Sequence, residues 1–388
     1  MENIVSIKAR EILDSRGDPT VEVEVETQNH IKTIASVPSG ASVGAHEVIE
    51  LRDGDEARFG GMGVLKAVEN VNSTIASALS GQDVTQQKAI DDTMSQLDGT
   101  PHKSKLGANA ILAVSLACAK AAADSKKMPL YKYIAEMAQS QIVAMPRAMF
   151  NFIEGAKHAD NNLVIQEFLV IPEQESFKEN YRKASEVFHK LRKILKDRNL
   201  NIAVGHEGGF APQLPSDEDA IRLIQEAEKI NMGLDLAGVV PNNMNLEEIV
   251  SKYPVISMED PVEEDNWDGW VQMMQKIGSK IMIVGDDLLA TNMELLKEAV
   301  EKKAVNAVIV KPNQIGTISD SIAFSNLAKQ SGLKLVVSHR SGETEDTFIA
   351  DFAVGVQAEF CKFGAPSRGE RVAKYNRLLR IEEEIKNG

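Results

Sequence analysis

Three carboxylates, Asp235, Glu259 and Asp286, each close a short apolar run: Met232-Gly-Leu-Asp235, Val255-Ile-Ser-Met-Glu259 and Met282-Ile-Val-Gly-Asp286. No histidine or cysteine stands among them, so the set is oxygen-only, the donor chemistry of a hard cation such as Mg²⁺. Three acids gathered at one place repel one another. A bound cation is the simplest remedy, and ion pairs to Lys311 and Lys362 are the competing one. Lys311 closes the next run, Ala307-Val-Ile-Val-Lys311; a lysine held beside a divalent ion gives up its proton more readily, which suits it to act as a base. Glu207, in Gly205-His206-Glu207-Gly208-Gly209, is the candidate acid, because its glycines let backbone or ligand come close. From spacing alone a solvated loop carboxylate explains Glu207 equally well. Metal, lysine base and opposing acid together describe removal of a proton α to a carboxylate, with the metal stabilising the enediolate, followed by loss of a β-hydroxyl.

These residues need elements that bring them together. The runs are consecutively apolar rather than alternating, which a parallel strand covered on both faces requires. Helically spaced segments, residues 267–277 and 292–303, lie between them. The pattern continues with Leu335-Val-Val-Ser-His339-Arg340-Ser341 and Ala358-Glu-Phe-Cys-Lys362, so that Asp235, Glu259, Asp286, Lys311, Arg340 and Lys362 recur at intervals of 24, 27, 25, 29 and 22 residues. Near-regular repetition of strand and helix reads as a barrel of βα units, whose active groups gather where the strands end. One charge at a strand end is a solvent-facing cap; six in succession are harder to explain that way. The barrel segment opens with Ala148-Met-Phe-Asn-Phe-Ile and Phe168-Leu-Val-Ile-Pro172, which flank a polar loop holding His158. A lone loop histidine of this kind is more often solvated than catalytic.

The N-terminal third is organised differently. Residues 4–10, 20–26 and 31–37 are β-branched or alternating runs, and the turn formers of residues 14–19 separate the first two, so an antiparallel meander is expected. Residues 38–44, mostly small, form a loop long enough to be mobile, with a plain linker as the other reading. Helices are expected over 63–79, 85–97, 106–124 and from Pro129. The chain is thus read as an α+β domain over residues 1–137 and an α/β barrel domain over 146–388. At 388 residues two domains are the natural expectation. With 57 acidic against 43 basic residues, a net charge of −14 and no basic cluster, nucleic acid is excluded as a direct ligand. No apolar run approaches the roughly 20 residues of a membrane span, and a cytoplasmic chain is expected. Cys118 and Cys361 fit no metal pair or disulfide framework.

Long segments resemble enolase: Ala9-Arg-Glu-Ile-Leu-Asp-Ser-Arg-Gly17, Leu106-Gly-Ala-Asn-Ala-Ile-Leu-Ala-Val114, residues 306–316, Ser338-His-Arg-Ser-Gly-Glu-Thr-Glu-Asp346 and Arg371-Val-Ala-Lys-Tyr-Asn376. The resemblance covers nearly the whole chain. It implies an N-terminal α+β domain with a modified (βα)8 TIM-type barrel, two Mg²⁺ ions, and interconversion of 2-phosphoglycerate, a phosphorylated three-carbon acid, and phosphoenolpyruvate in glycolysis. Carried onto matching positions, Asp235, Glu259 and Asp286 would hold the first metal and Ser39 would help hold the second. Lys311 would be the base and Glu207 the acid, supported by Glu167, with Gln166 touching substrate. Arg340 and Ser341 would take the phosphate, Lys362 would face the substrate carboxylate, and His158 would close over it. A homodimer or higher homo-oligomer is implied.

Departures from the family pattern cluster near these positions. His206 stands where the family has aspartate, Glu154-Gly155-Ala156 replaces Asn-Gly-Gly, Val43 replaces a threonine, and the segment between Asp235 and Glu259 is shorter by about one hairpin. A histidine at 206 does not raise the neighbouring carboxyl as an anion would, which weakens Glu207 as a proton donor. Ala156 removes backbone freedom beside His158. None of these changes touches a metal ligand or the base. A non-catalytic enolase-like binding or scaffold protein is the alternative they suggest; a dehydratase acting on a related acid is a third reading, against which Arg340 and Ser341 argue.

Overall fold

The six apolar runs that end in charge fold as strands, and in a computed structural model of the chain they close an eight-stranded barrel with the two runs that open the barrel segment. The structure describes residues 1–40, 46–242 and 244–387; Val43 and most of the 38–44 loop lie outside the described residues. The chain divides into two compact units: Ala144–Val310, Leu327–His339 and Ala358–Gly388 form the barrel unit, while Met1–Val143, Lys311–Asn326 and Arg340–Gln357 form the other.

In the non-barrel unit, β1 (Ile4–Leu13), β2 (Pro19–Thr27) and β3 (Lys32–Ser36) make the expected antiparallel meander. The alternation in β2 buries Val21, Val23 and Val25 and leaves Glu22, Glu24 and Glu26 only partly covered. Helix Ala108–Ser125 packs on β2 and β3; its many alanines let it lie close, and 15 of its 18 residues are buried. Helix Phe348–Gly355 meets helix Leu130–Ala138, with Gly355 so close that a Cβ there would fall 2.6 Å from Ile134 Cβ. Helical turns run through residues 65–79, including a π-helical segment at Val71–Ile75.

The barrel strands are β4 (Arg147–Glu154), β5 (Glu167–Val170), β6 (Met232–Asp235), β7 (Val255–Glu259), β8 (Met282–Gly285), β9 (Ala307–Val310), β10 (Lys334–Ser338) and β11 (Phe360–Lys362), closed in the order β10-β11-β4-β5-β6-β7-β8-β9. The repeated strand-helix module therefore holds from β6 onward. The barrel is not all-parallel, however: β5 runs antiparallel to both β4 and β6. Only a short 3-10 turn, Ala156–His158, lies between β4 and β5 among the described residues, with no crossover α-helix, so the chain turns back instead of crossing over.

Met149, Leu169, Met282, Val284, Ala307, Ile309, Val336 and Phe360 fill the interior, as side-chain layers do in barrels of this type. Gly233 belongs to this layer, since a Cβ on it would come within 3.2 Å of Met149 Cε. Side chains alternate along a strand, so two residues beyond this layer the same inward parity falls on Asp235, Asp286 and Lys362, and on Glu167 of the reversed β5. Glu259 pairs in register with Asp235, and Asp235 with Glu167. The pleat alone thus collects carboxylates at one level. Cys118 and Cys361 are free and buried, and no helix among the described residues is long and apolar enough to cross a membrane.

Candidate active site

Two clusters occupy the ends of the barrel strands. In the first, the ammonium of Lys362 lies 2.8 Å from both oxygens of Glu259, 3.2 Å from Glu167 Oε2 and 3.4 Å from Asp235 Oδ2. All four side chains are essentially buried. Burial disfavours the charged lysine, but the acids around it, Glu167 first, hold its pKa well above the ordinary value. Burial and the neighbouring Asp235 push Glu259 well above the usual carboxylate range even with Lys362 against it. Burial and Glu207 likewise raise Glu167. Lys362, which the resemblance set facing the substrate carboxylate, thus ion-pairs with the acids.

Asp235 is fixed by two more bonds: its Oδ1 accepts from the Ala237 amide at 3.0 Å and its Oδ2 from Gln166 Nε2 at 3.3 Å. Gln166 therefore braces an acid in this structure. Asp260, which sequence reasoning passed over, shapes the exit of β8. Its two oxygens accept the backbone N–H groups of Asp286 (2.9 Å) and Asp287 (2.8 Å). Its side chain is buried, and burial together with Asp286 raises its carboxyl well above the ordinary range. The signal was the second acid of Glu259-Asp260, adjacent to a strand end. Asp260, Asp286 and Asp287 each offer an oxygen within 4.8 Å of the others.

The donor chemistry fits a hard divalent cation. Glu167, Asp235, Glu259 and Asp286 bring four carboxylates toward a single lysine, and burial together with Asp235 raises Glu259 even with that ammonium beside it. Asp260, Asp286 and Asp287 could hold such an ion, while Asp235 and Glu259, expected to share it with Asp286, are engaged by Lys362.

The second cluster surrounds Glu207. Its Oε2 lies 3.0 Å from His339 Nε2 and accepts from Asn151 Nδ2 at 3.3 Å; its Oε1 lies 3.7 Å from His158 Nδ1. The His158 Nδ1 is also 3.3 Å from Glu167 Oε1, so Glu167 joins the two clusters. His158 is buried, not solvated, on a 3-10 turn, Ala156–His158. Burial would raise Glu207, but the positive groups at His339 and His158 outweigh it and hold the carboxyl well below the ordinary range. His206 is exposed, so Glu207 stays acidic through His339 and His158, not through its neighbour. Burial opposes a charge on His158, yet Glu207 and Glu167 lift it to about 9. Behind His339 stands Arg371, fully buried, with Nη1 2.7 Å from His339 Nδ1 and Nη2 donating to the His206 carbonyl at 3.1 Å. Neither Arg371 nor Asn151 carried a sequence signal for this role.

The remaining expected residues belong to the other unit. Lys311 directly follows β9 and precedes the short helix Pro312–Ile315. Arg340 Nη1 donates to Glu47 Oε2 and to Asn313 Oδ1, each at 3.0 Å. The Ser341 hydroxyl accepts from Arg16 Nη1 at 3.2 Å. Ser39 is buried, donates to Asp14 Oδ2 at 2.7 Å and accepts from Arg16 Nη2 at 3.2 Å. Glu47, Asn313 and Arg16 were not singled out as partners from sequence.

Barrels of this build carry their chemistry at the carboxyl ends of the strands, and here buried oxygen donors stand beside an acid held between histidines, groups suited to cation binding and proton transfer. Sequence comparison narrows this further. Residues 4–134 match the enolase N-terminal domain, and residues 142–240 and 241–388 match the enolase C-terminal TIM barrel domain. The chain belongs to the enolase family, whose members are lyases.

Proposed function

We propose that the protein is a Mg²⁺-dependent hydro-lyase interconverting 2-phosphoglycerate and phosphoenolpyruvate. The observation that carries this reading is the register that sets Asp235 beside Glu259 and Glu259 beside Val284, two residues before Asp286. A bound Mg²⁺ would supply Lewis-acid stabilisation of negative charge on the substrate carboxylate.

The chain's own groups do the rest. Lys311 takes the α-proton, and Glu207, loaded with a proton, gives it to the departing hydroxyl while Glu167 and His158 hold it. Glu207 is kept ionised in the present arrangement, so in this reading it gains its proton once anionic substrate enters and draws positive charge from the histidines. With an ion held by Asp235, Glu259 and Asp286, Lys362 would be free to face the substrate carboxylate; Gln166 orients Asp235. Arg340 and Ser341 hold the phosphate, with Glu47 and Asn313 keeping the guanidinium in one orientation. A second Mg²⁺ at Ser39 belongs to the proposal as well, and would require its hydroxyl to exchange Asp14 and Arg16 for the ion. The assembly is proposed to be a homodimer or larger.

Purified protein mixed with 2-phosphoglycerate and Mg²⁺ is expected to form phosphoenolpyruvate, and Lys311→Ala is expected not to. The ionised Glu207 is the observation favouring the second reading, a non-catalytic enolase-like binding protein. Absence of Mg²⁺-dependent product above the Lys311→Ala control would establish that reading.

A further inference from the structure

Glu154 ends β4, and its side chain is buried in a nest made by the backbone of residues 205–209. One oxygen, Oε2, accepts the N–H of Glu207 at 3.1 Å, and the other, Oε1, accepts the N–H of Gly209. The nest is shaped for a carboxylate. A Cβ at Gly205 would collide with Oε2, and one at Gly209 would lie 2.9 Å from Oε1. Gly208 has φ +93, which turns the chain so that both N–H groups face one acceptor. The loop is closed on its far side as well: Gly205 donates to the Gly209 carbonyl at 2.9 Å, and Ala365 donates to the Glu207 carbonyl at 3.0 Å.

We infer that Glu154 is the positioning residue for Glu207, its carboxylate fixing the backbone from which the acid reaches His158 and His339. The Glu154 carboxyl is bonded to the amides of Glu207 and Gly209, so it acts through the Glu207 loop. Glu154 pairs in register with Glu167, so the nest ties the Glu207 loop to the strand pair that carries the second acid of the same cluster. Two backbone N–H groups donating to one buried carboxyl group make a rigid anchor. A buried carboxylate would otherwise be costly in this position, and burial together with Glu207 does push its pKa up, to about 8.

The kinetic arm of the test rests on the proposed lyase reading; the exchange arm does not. Backbone amide hydrogen exchange is followed at Glu207 and Gly209 in the full chain, in wild type and in Glu154→Gln, with the β9 amides as internal reference. The amide of glutamine keeps one acceptor oxygen and turns a donor toward the other N–H, so exchange at one or both positions is expected to speed by about tenfold or more while β9 is unchanged. Gly209→Ala approaches from the other side, displacing the carboxylate without removing its charge, and is expected to speed exchange at Glu207. In turnover, Glu154→Gln is expected to lower kcat by about 10–100-fold with KM within about threefold, the pattern of a displaced acid. Unchanged exchange at Glu207 in both variants, or equal loosening of β9, overturns the inference. If wild type does not turn over 2-phosphoglycerate, the reaction reading falls and the exchange result alone decides the role of Glu154.

Discussion

The two clusters at the barrel ends solve opposite electrostatic problems. Around Lys362, burial together with Asp235 pushes Glu259 up, burial together with Glu207 pushes Glu167 up, and the acids hold the lysine charged. Around Glu207 positive groups converge on one acid, and its carboxyl is pulled down. Strands build the first cluster and loops the second. The difference is that a strand-built site is left short of positive charge, which an external ion can supply, while a loop-built site is balanced internally by histidine and can exchange protons.

Removing an acid from the strand-built cluster should have the largest effect. Asp286→Asn is expected to lower Mg²⁺-dependent turnover by about 10³-fold, in line with the several kcal/mol that Lewis-acid stabilisation contributes, and to raise the Mg²⁺ concentration needed for half-maximal rate. Turnover at saturating substrate over a Mg²⁺ series checks both. Lys362→Met tests the charge deficit by deepening it. Breaking a buried pair leaves uncompensated charge and is expected to cost about 3–5 kcal/mol, read as a lower urea midpoint. Mg²⁺ should recover more stability in this variant than in wild type; equal gains would mean the ion does not bind among these acids.

The two clusters also differed in how far they could be read from sequence. Asp235, Glu259 and Asp286 were legible because consecutive apolar residues mark buried strands and a charge at each exit recurs at near-regular intervals. The helix at 267–277 was legible for the same reason, its apolar spacing matching the observed Trp267–Ile277. The reversed direction of β5 was not, because four buried residues carry no alternation that distinguishes parallel from antiparallel pairing. Lys362 could be listed as a strand-end charge, but its partners lie on β5, β6 and β7, and only closure of the barrel brings β11 within reach of them. Glu154, Asp260 and Arg371 act through backbone N–H groups or a ring nitrogen, and no spacing rule encodes such partners.

The loop-built cluster predicts a pH response of defined sign. The folded pKa of His158, about 9, lies above its ordinary 6.5, so the native state holds more protons between those values. Its stabilising contribution is complete below pH 6.5 and is lost as the pH rises through 9. Urea midpoints measured from pH 6 to 9.5 should fall more steeply for wild type than for His158→Gln. A residual slope should remain in the variant, since Glu154, raised to about 8, acts in the same direction. Equal slopes would remove His158 from the charge balance.

The smallest effect concerns the turn beneath His158. Ala156 sits at φ 47, in the left-handed region that disfavours a Cβ. Ala156→Gly should therefore stabilise the fold by up to about 1 kcal/mol, partly offset by the greater freedom of glycine in the unfolded chain. Thermal unfolding checks the sign, and destabilisation would show that the methyl group contributes packing that outweighs the strain.

In the proposed function the acids at the ends of β6, β7 and β8 take up a divalent ion. A crystal grown with Mn²⁺ in place of Mg²⁺ tests it directly, through the anomalous signal of the metal. The account predicts a peak bounded by Asp235, Glu259 and Asp286, with the Lys362 ammonium moved off Glu259. A map with no peak among these three residues, and Lys362 still paired to Glu259, would contradict it.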